Sequence, residues 1–411
     1  MPCAALCFPD GADWLQMPAL TWSLGQYTSG AQMQRQQDLS DTAGRDISAE
    51  HVDTVVVGAG QAGLSVGYHL ARLGQSFVIL DEHGRLGDCW RERYDSLRLY
   101  TPAKYNGLPG MRFPASRYTF PSGRQMADYL ETYAARMELP VVSGVRVEGI
   151  WRAEDPQHPY VVTAGQRRFV TTQVVVATGG QQIPSTPLFA DALDPGIRQL
   201  HSSDYRGPSQ IPPGPVLVVG ASHSGADIAL ELASQHETWL SGHVNGQLPF
   251  NLEGRPARQV MRLLWFAANH VLTVKTPLGR KMQPEVRGHG GPLLRVKLPH
   301  LRDAGVEYAS ARVKGVRDGL PELDDGRALE ITNVIWCTGF RQDFSWIHLP
   351  VIGPDGWPLQ ERGVVSTSPG LYFVGLLFQY AFGSMLVGGV GRDGKYVAKH
   401  IAAHQQRTAA A

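Results

Sequence analysis

The sequence predicts an α/β protein with two parallel-sheet units, one of them inserted in the other. A strand, a glycine-rich turn, a helix and a second strand follow one another from Thr54, and the same order returns from Val216. Two further apolar strands, 174–177 and 334–337, each run into a Thr-Gly pair. Such a recurrence indicates a duplicated unit, and strands that alternate with helices favour a parallel sheet.

The first unit begins with the run 54–57, whose β-branched residues are typical of a strand buried in a parallel sheet. A helical pattern ends at Gly74, and a second strand, 77–80, follows. Between the first strand and the helix stands Gly58-Ala59-Gly60-Gln61-Ala62-Gly63. In this context the three glycines indicate the turn of a dinucleotide-binding, Rossmann-like fold.

Each residue of this first turn has a separate predicted task. Gly58 permits the tight turn, Gly60 lets the backbone approach a pyrophosphate, and Gly63 lets the helix pack on the strand. The free N–H groups at the helix start, together with the helix dipole, favour an anion. Asp81 ends the second strand, where its carboxylate can accept hydrogen bonds from ribose hydroxyls.

The second unit repeats this order with one change. The strand 216–219 leads into Gly220-Ala221-Ser222-His223-Ser224-Gly225, then into a helix through Leu232 and a strand at 238–240. Ser222 replaces the middle glycine and leaves less room for a phosphate. A second nucleotide site is therefore predicted here, and a purely structural turn stays open as the alternative.

The end of strand 238–240 bears on the choice of coenzyme. It continues as Ser241-Gly242-His243, with no acidic residue to hold a free ribose 2′-hydroxyl. The absence of an acid removes repulsion against a 2′-phosphate, which favours NADPH, with NADH as the alternative. Arg255 and Arg258 follow within reach as candidates for the 2′-phosphate.

The two Thr-Gly pairs predict the domain boundaries. A first domain is expected over 51–185 and 338–403, with a second domain, 186–337, inserted in it. Residues 1–50 are polar and irregular and are expected to form a mobile N-terminal tail. Residues 404–411 are expected to form a short C-terminal tail.

Composition excludes several function classes. Lys and Arg number 38 against 37 Asp and Glu, so the net charge of +1 gives no footprint for nucleic acid. The 4 cysteines show neither a Cys-x-x-Cys pair nor a metal-ligand spacing, so no metal site is predicted and a reducing cytoplasm is the expected compartment. The uncharged segment 371–390 contains several glycines and is interpreted as a strand, a loop and a helix start, not as a membrane span.

The segment 259–274 is strongly apolar. A buried helix is the commonest structure for such a pattern and is the first interpretation. A hydrophobic substrate tunnel, a homodimer face and a membrane-contacting surface stay open as alternatives.

Further motifs, in order along the chain, resemble those of the class B flavin-dependent monooxygenases. This family includes the flavin-containing monooxygenases, the plant YUCCA enzymes and the Baeyer–Villiger monooxygenases. Besides the two glycine turns and the two Thr-Gly pairs, the resemblance rests on Gly87-Asp88-Cys89-Trp90, His201-Ser202-Ser203-Asp204-Tyr205 and Gly370-Leu371-Tyr372-Phe373-Val374-Gly375.

The resemblance implies FAD at the first turn and NADPH at the second. Trp90 is expected near the isoalloxazine, and the Gly383-Ser384-Met385 turn along the pyrimidine edge of the flavin. The residues that it implies in cofactor binding are Gly58, Gly60, Gly63, Asp81, Trp90, Thr178, Gly179, Tyr205, Gly220, Ser222, Ser224, Gly225, Gly339, Gly375, Ser384 and Met385.

Two departures from the family pattern affect the predicted chemistry. Pro195 and Ile197 stand where the family fingerprint begins with Phe-x-Gly, and Tyr100 stands where animal-type members have an asparagine that stabilises the oxygenated flavin. Tyr100 is a candidate hydrogen-bond donor to flavin or substrate, with a packing role as the alternative. His201 is expected to orient the nucleotide or the domain junction, with a structural role as the alternative.

The resemblance implies a monooxygenase of this kind. NADPH reduces FAD, O2 adds to the reduced flavin, and the hydroperoxide passes one oxygen atom to a small organic substrate. Two alternatives remain open: a flavin reductase or electron-transfer protein that inserts no oxygen, and a non-enzymatic nucleotide-sensing flavoprotein linked to transport.

Overall fold

The computed structural model describes residues 49–254 and 256–410, with side chains as far as Arg407. The predicted tail 1–50 lies outside the described residues except at its end, where Glu50 already begins the first strand. Arg255, a candidate for the 2′-phosphate, also lies outside them. The last helix continues through the predicted C-terminal tail 404–411 as far as Ala410. No glycine or proline interrupts the helical pattern there.

The strands of the described chain are β1 (Glu50–Val57), β2 (Phe77–Leu80), β3 (Val141–Val142), β4 (Gly149–Arg152), β5 (Tyr160–Ala164), β6 (Arg167–Val176), β7 (Ile183–Pro184), β8 (Arg198–His201), β9 (Val216–Val219), β10 (Thr238–Ser241), β11 (Glu307–Ala309), β12 (Val313–Arg317), β13 (Leu320–Leu323), β14 (Asn333–Trp336), β15 (Phe340–Arg341) and β16 (Leu371–Phe373).

The α-helices are α1 (Gln61–Arg72), α2 (Asp88–Arg91), α3 (Gly123–Arg136), α4 (His223–Leu232), α5 (Ala257–Phe266), α6 (Pro277–Gly288), α7 (Leu298–Asp303) and α8 (Val390–Ala410). A π-helical turn, Ala267–Val271, continues α5. Short 3-10 turns lie at Ala103–Tyr105, Leu188–Ala192, Pro208–Gln210 and Phe382–Met385.

The first sheet has seven strands in the order β3-β2-β1-β6-β5-β4, with β16 also paired to β6. Strands β1, β2, β3, β6 and β16 run parallel, whereas β4 and β5 form an antiparallel meander with the first half of β6. The long strand β6 therefore pairs along one edge with β5 and then with β16. Helices α1, α3 and α8 cover one face of this sheet, and their apolar residues form one core with Val56 and Val175.

The second sheet has five strands, all parallel, in the order β11-β10-β9-β14-β8. Helices α4 and α7 pack on one face, and the β12–β13 hairpin packs on the other. Every strand of this sheet lies between β6 and β16 in the chain. The protein is thus a mixed α/β fold with two largely parallel sheets.

The chain passes between the two sheets twice, and the two crossing segments pair with each other. Strand β7 follows the first sheet, β15 follows the second, and they form a short antiparallel pair with Phe340 opposite Pro184. Each crossing begins at one of the Thr-Gly pairs noted in the sequence.

The predicted elements of both units are confirmed, with small shifts at their ends. Strands 77–80 and 216–219 have the predicted bounds, and 54–57 is the second half of β1. The segment 371–390 contains β16, a loop and a 3-10 turn that lead to the start of α8, as predicted. No helix within 49–254 and 256–410 combines the length and the hydropathy that a membrane crossing requires.

The interpretation of 259–274 as a buried helix is wrong. Helix α5 lies on the surface, and Leu263 and Phe266 are 71% and 59% exposed. Ala257 and Met261 are its buried residues, because the helix packs along one narrow side. The apolar pattern does form a helix, but no other described element covers its opposite side.

Candidate functional site

The first glycine turn joins β1 to α1 at the carboxyl end of the first sheet. Gly58 has a φ of +102°, a backbone conformation that strongly favours glycine. A Cβ atom on Gly63 would lie 1.9 Å from the carbonyl oxygen of Gly58, so only glycine allows the helix to approach the turn. A Cβ atom on Gly60 would meet no protein atom within 4 Å, so the start of α1 faces open space.

The second glycine turn joins β9 to α4 in the same way. Gly220 has a φ of +110°, and a Cβ atom on Gly225 would lie 1.8 Å from the Gly220 carbonyl oxygen. Ser222 takes the N-cap position of α4 that Gly60 takes in α1. The two turns therefore have one geometry, and each places the N-terminus of a helix at the carboxyl end of a parallel sheet.

Asp81 closes the first turn from the end of β2. Its carboxylate accepts hydrogen bonds from the backbone N–H of Ala59 at 2.6 Å and from the backbone N–H of His83 at 3.1 Å. His83 also contacts the carboxylate through its ring at 3.1 Å. These hydrogen bonds outweigh the effect of burial and lower the pKa of Asp81, so the group is anionic. A carboxylate has lone pairs left for ribose hydroxyls.

The second turn is covered by the segment that follows α6. The Ser222 hydroxyl donates to the carbonyl oxygen of Gly291 at 2.9 Å, and His223 Nε2 lies 2.8 Å from the carbonyl oxygen of Pro292. A Cβ atom on Gly290 would lie 2.9 Å from Ser222 Cβ, so this close approach requires glycine. The serine hydroxyl at the middle position thus binds protein backbone.

A buried polar cluster joins the two halves of the site. Asp227 of α4 accepts hydrogen bonds from the hydroxyls of Tyr94 at 3.3 Å and Tyr100 at 3.4 Å, and it lies 3.5 Å from Arg295 Nη2. Burial raises the pKa of Asp227, although Arg295 and the two hydroxyls act in the opposite direction. The ring of Tyr100 also packs on that of His223, with centroids 4.4 Å apart.

Sequence reasoning missed Asp227, Tyr94 and Arg295 in this cluster. Tyr94 and Tyr100 belong to the segment after Trp90, whereas Asp227 follows the second glycine turn. The one local signal was Asp227 itself, an acid among Ala226, Ile228 and Ala229 on the buried side of α4.

His201 lies where the chain crosses between the sheets. Its Nε2 is 3.0 Å from the carbonyl oxygen of Gly339, and its Nδ1 is 2.9 Å from the Ser203 hydroxyl. Burial lowers the pKa of His201, so the ring is neutral near pH 7 and bonds through both nitrogens. At the other crossing, Gln182 donates to the Thr178 hydroxyl and to the Gly179 carbonyl oxygen. His201, Thr178, Gly179 and Gly339 therefore hold the junction between the sheets.

The remaining predicted residues have several different environments. Trp90 of α2 is partly buried against the core that α1, α3 and α8 form on the first sheet. Gly375 passes so close to α1 that a Cβ atom on it would lie 2.7 Å from Ala62 Cβ. The Ser384 hydroxyl is buried and accepts from the backbone N–H groups of Tyr380 and Ala381, while Met385 is half-buried.

Tyr205 is fully buried, and its hydroxyl donates to Glu231 of α4 at 3.0 Å. The structure therefore places Tyr205 in the core under α4 and not on the surface of the turn. Ser224 and Gly225 lie in the first turn of α4, where Ser224 is half-buried and Gly225 is buried.

The two cysteines in the described chain are not poised for thiol chemistry. Cys89 and Cys337 are free, and burial raises the pKa of each to about 12. The thiolate is the nucleophile, so both groups are unreactive near neutral pH.

These features fit two dinucleotides. At the first turn, Gly60 leaves an open cradle at a helix N-terminus, and Asp81 stands at the end of the adjacent strand. At the second turn, the same backbone geometry recurs and no acid follows β10, where His243 is exposed. Together the fold and the two turns define a nucleotide-binding oxidoreductase of the two-site type.

Comparison with known proteins agrees with this class. Residues 55–240 match the pyridine nucleotide-disulphide oxidoreductase family. An uncharacterized oxidoreductase CzcO-like from Geobacillus kaustophilus is 38% identical, over 86% of this chain and 99% of its own. The probable indole-3-pyruvate monooxygenase YUCCA3 of Arabidopsis thaliana is 30% identical, over 87% of this chain and 90% of its own. A flavin-containing monooxygenase from Stenotrophomonas maltophilia matches with a TM-score of 0.69 and 27% identity, over 86% of this chain and 99% of its own.

The chain belongs to the class B flavin-dependent monooxygenase family. It is an oxidoreductase that depends on FAD and NADPH, which confirms both cofactor predictions.

Proposed function

We propose that this protein is an NADPH-consuming monooxygenase that inserts one oxygen atom from O2 into a small organic substrate. The observation that carries the proposal is the polar contact between the segment after Trp90 and helix α4, which begins at the second glycine turn. Tyr94 and Tyr100 come from the segment that follows Trp90, and they bond to Asp227 beside the second turn. A nucleotide at each turn would thereby have its reactive end directed to a shared junction.

The two sheets serve as two Rossmann-like domains in this proposal. The FAD-binding domain comprises residues 51–185 and 338–403, and the NADPH-binding domain, 186–337, is inserted in it. This division into domains is supported by the order of the strands along the chain and by the pairing of β7 with β15 where the chain passes between the two sheets.

The residues of the first turn would bind FAD. The N–H groups at the start of α1 bind the pyrophosphate, Gly60 leaves room for it, and Asp81 accepts from ribose. Trp90, Ser384 and Met385 would help to hold its flavin ring. When bound and reduced, FAD supplies the chemistry that activates O2.

The residues of the second turn would bind NADPH. The first turn of α4, with Ser224 and Gly225, would bind its pyrophosphate, and the 2′-phosphate would lie beside the exposed His243 that follows β10. Neutral His201 fixes the crossing segments through Gly339 and Ser203, so that the two nucleotides keep one relative orientation.

Tyr100 takes the place of the asparagine of animal-type relatives. Burial raises the pKa of Tyr100 well above its usual value, so its hydroxyl stays protonated near pH 7 and can donate one hydrogen bond. Asp227 accepts from this hydroxyl, and the adjacent ring of His223 restricts the ring of Tyr100. The Tyr100 hydroxyl has one proton, so to stabilise negative charge that develops at the junction it would have to turn from Asp227 to the charged group.

Oxygen-18 labelling tests the proposal. The FAD-loaded protein is supplied with NADPH and labelled O2, together with a panel of amines, sulfides, ketones and indolic 2-oxo acids, the last suggested by the name of the YUCCA3 relative. One labelled oxygen atom in a product, with NADPH oxidised in equal amount, is the expected result. If all NADPH oxidation appears as peroxide for every compound, the protein is a reductase and the proposal is wrong. Tight nucleotide binding without NADPH turnover would instead indicate a sensor.

A further inference from the structure

A half-open pocket of about 810 Å³ lies apart from the two glycine turns. One wall is the loop 103–117 of the first-sheet region, and the other includes Trp265 of α5. Its apolar lining includes Leu108, Met111 and Phe113. Pockets of this volume with an apolar lining hold small organic ligands.

An aromatic pair joins the two walls. The rings of Tyr105 and Trp265 stack with centroids 4.8 Å apart and planes inclined by 29°. A Cβ atom on Gly388 would lie 2.1 Å from the Tyr105 carbonyl oxygen, so the segment after the Gly383-Ser384-Met385 turn packs directly on this wall. The Tyr105 hydroxyl is buried and has no hydrogen-bond partner among the described residues. The pocket therefore has a flat aromatic surface for an apolar ligand, and one of its lining residues keeps an unused hydrogen-bonding group.

The charge around the pocket has one sign. Lys104, Arg112 and Arg117 line it and are exposed, and no acid is among its lining residues. None of the three forms an ion pair within the described chain. The whole stretch 96–127 contains no Asp or Glu, and neither does 256–284, which carries α5. In a chain with a net charge of +1, this local excess of cations attracts anions.

We propose that this pocket binds the organic substrate and selects an apolar molecule with one negative charge. The ring system or hydrocarbon part packs on Trp265 and Met111, and the anionic group lies at the mouth beside Arg112 and Arg117. That the ligand is a substrate rests on the proposed function. The chemical class of the ligand rests on the pocket alone.

Three probes with the same ring test the charge preference: 2-naphthaleneacetate, 2-(2-naphthyl)ethanol and 2-(2-naphthyl)ethylammonium. Binding to the FAD-loaded protein is measured by titration calorimetry. An exposed cation contributes up to about fivefold in affinity, so the acetate should bind about tenfold more tightly than the alcohol, and the ammonium most weakly. Because salt screens exposed charges, this preference should shrink in high salt. Equal binding of all three probes would overturn the proposal.

Variants locate the binding. Arg112→Gln combined with Arg117→Gln should remove most of the preference for the acetate and leave the affinity for the alcohol within about twofold. Arg136→Gln, an exposed cation on α3 outside the pocket, is the control and should retain the preference. Trp265→Ala should weaken all three probes, whereas Trp265→Phe should retain most of the binding. Unchanged probe binding in both Trp265 variants would place the ligand elsewhere.

Competition links the pocket to the reaction. Naphthaleneacetate should inhibit oxygenation of the substrate found by labelling, and the double arginine variant should raise KM for an anionic substrate with little change in kcat. An anion that binds without competing would overturn the substrate role. If no compound is oxygenated, the proposed function fails while the calorimetric preference is still expected, so the two failures are distinguishable.

Discussion

The two glycine turns agree at the positions that the fold determines and differ at the position that faces a ligand. A Cβ atom on the first or the third glycine would lie too close to a backbone carbonyl oxygen, and the oxygen concerned is the equivalent one in both turns. The middle positions differ, because Gly60 faces open space whereas the Ser222 hydroxyl binds the backbone of Gly291. The first and third positions are therefore packing requirements, and the middle position reports what approaches the helix start.

The largest effect is expected from substitution at the third position. Gly63→Ala places Cβ 1.9 Å from a carbonyl oxygen that cannot move without breaking the turn. We expect a loss of about 3 kcal/mol in the free energy of unfolding, the upper end for overpacking. Gly225→Ala should behave alike in the second turn, since its distance is 1.8 Å. Chemical denaturation of the apoprotein measures both, and wild-type stability in either variant would contradict the packing argument.

The middle position should separate folding from binding. Gly60→Ala adds a methyl group that meets no protein atom, so the stability of the apoprotein should change by no more than about 1 kcal/mol. The same methyl group would meet the pyrophosphate, and the affinity for FAD should fall at least about tenfold. The measurement is FAD titration followed by flavin fluorescence. Full retention of FAD would refute the placement of the pyrophosphate.

A smaller effect is expected at the polar cluster around Asp227, which joins helix α4 to the segment after Trp90. Asp227→Ala leaves two tyrosine hydroxyls and Arg295 without their acceptor, at an expected cost of about 1–3 kcal/mol. The rate of flavin reduction by NADPH, followed after rapid mixing, should fall, because the donors are no longer held. Tyr100→Phe removes one of these hydrogen bonds and serves as the milder comparison.

The pH dependence of stability gives a separate test of Asp227. Its folded-state pKa is raised by burial, so the protonated form is favoured in the folded protein and stability is lost as pH rises through that pKa. Asp227→Asn is neutral at every pH and lacks this loss. The stability of the wild type relative to Asp227→Asn should therefore decrease as pH rises from the ordinary aspartate range towards neutrality. An increase over that range would show that Arg295 dominates and that the carboxylate is favoured.

Sequence reasoning reached the two turns because their evidence is local. The glycine spacing together with the flanking strands and helix identifies Gly58, Gly63 and Asp81, since each acts within one strand–turn–helix unit. The bond from Tyr100 to Asp227 joins residues 127 positions apart, and no local pattern shows which segments the fold brings together. Helix α5 is a different case: apolar periodicity identifies the helix, but it does not show whether another element covers Leu263 and Phe266.

The smallest effect is expected at Ser222, where the comparison of the two turns is most direct. Ser222→Gly recreates the first turn and removes one hydrogen bond to Gly291, which should cost about 1 kcal/mol of stability. The contact of His223 with the Pro292 carbonyl oxygen still holds the segment 290–292 at the start of α4, so the affinity for NADPH should change by less than about fivefold while the FAD content is retained. Measuring the affinities for FAD and for NADPH in one titration series shows which nucleotide the second turn binds. A loss of FAD in this variant would mean that the second turn supports the flavin, and the assignment of the two nucleotides would then have to be reversed.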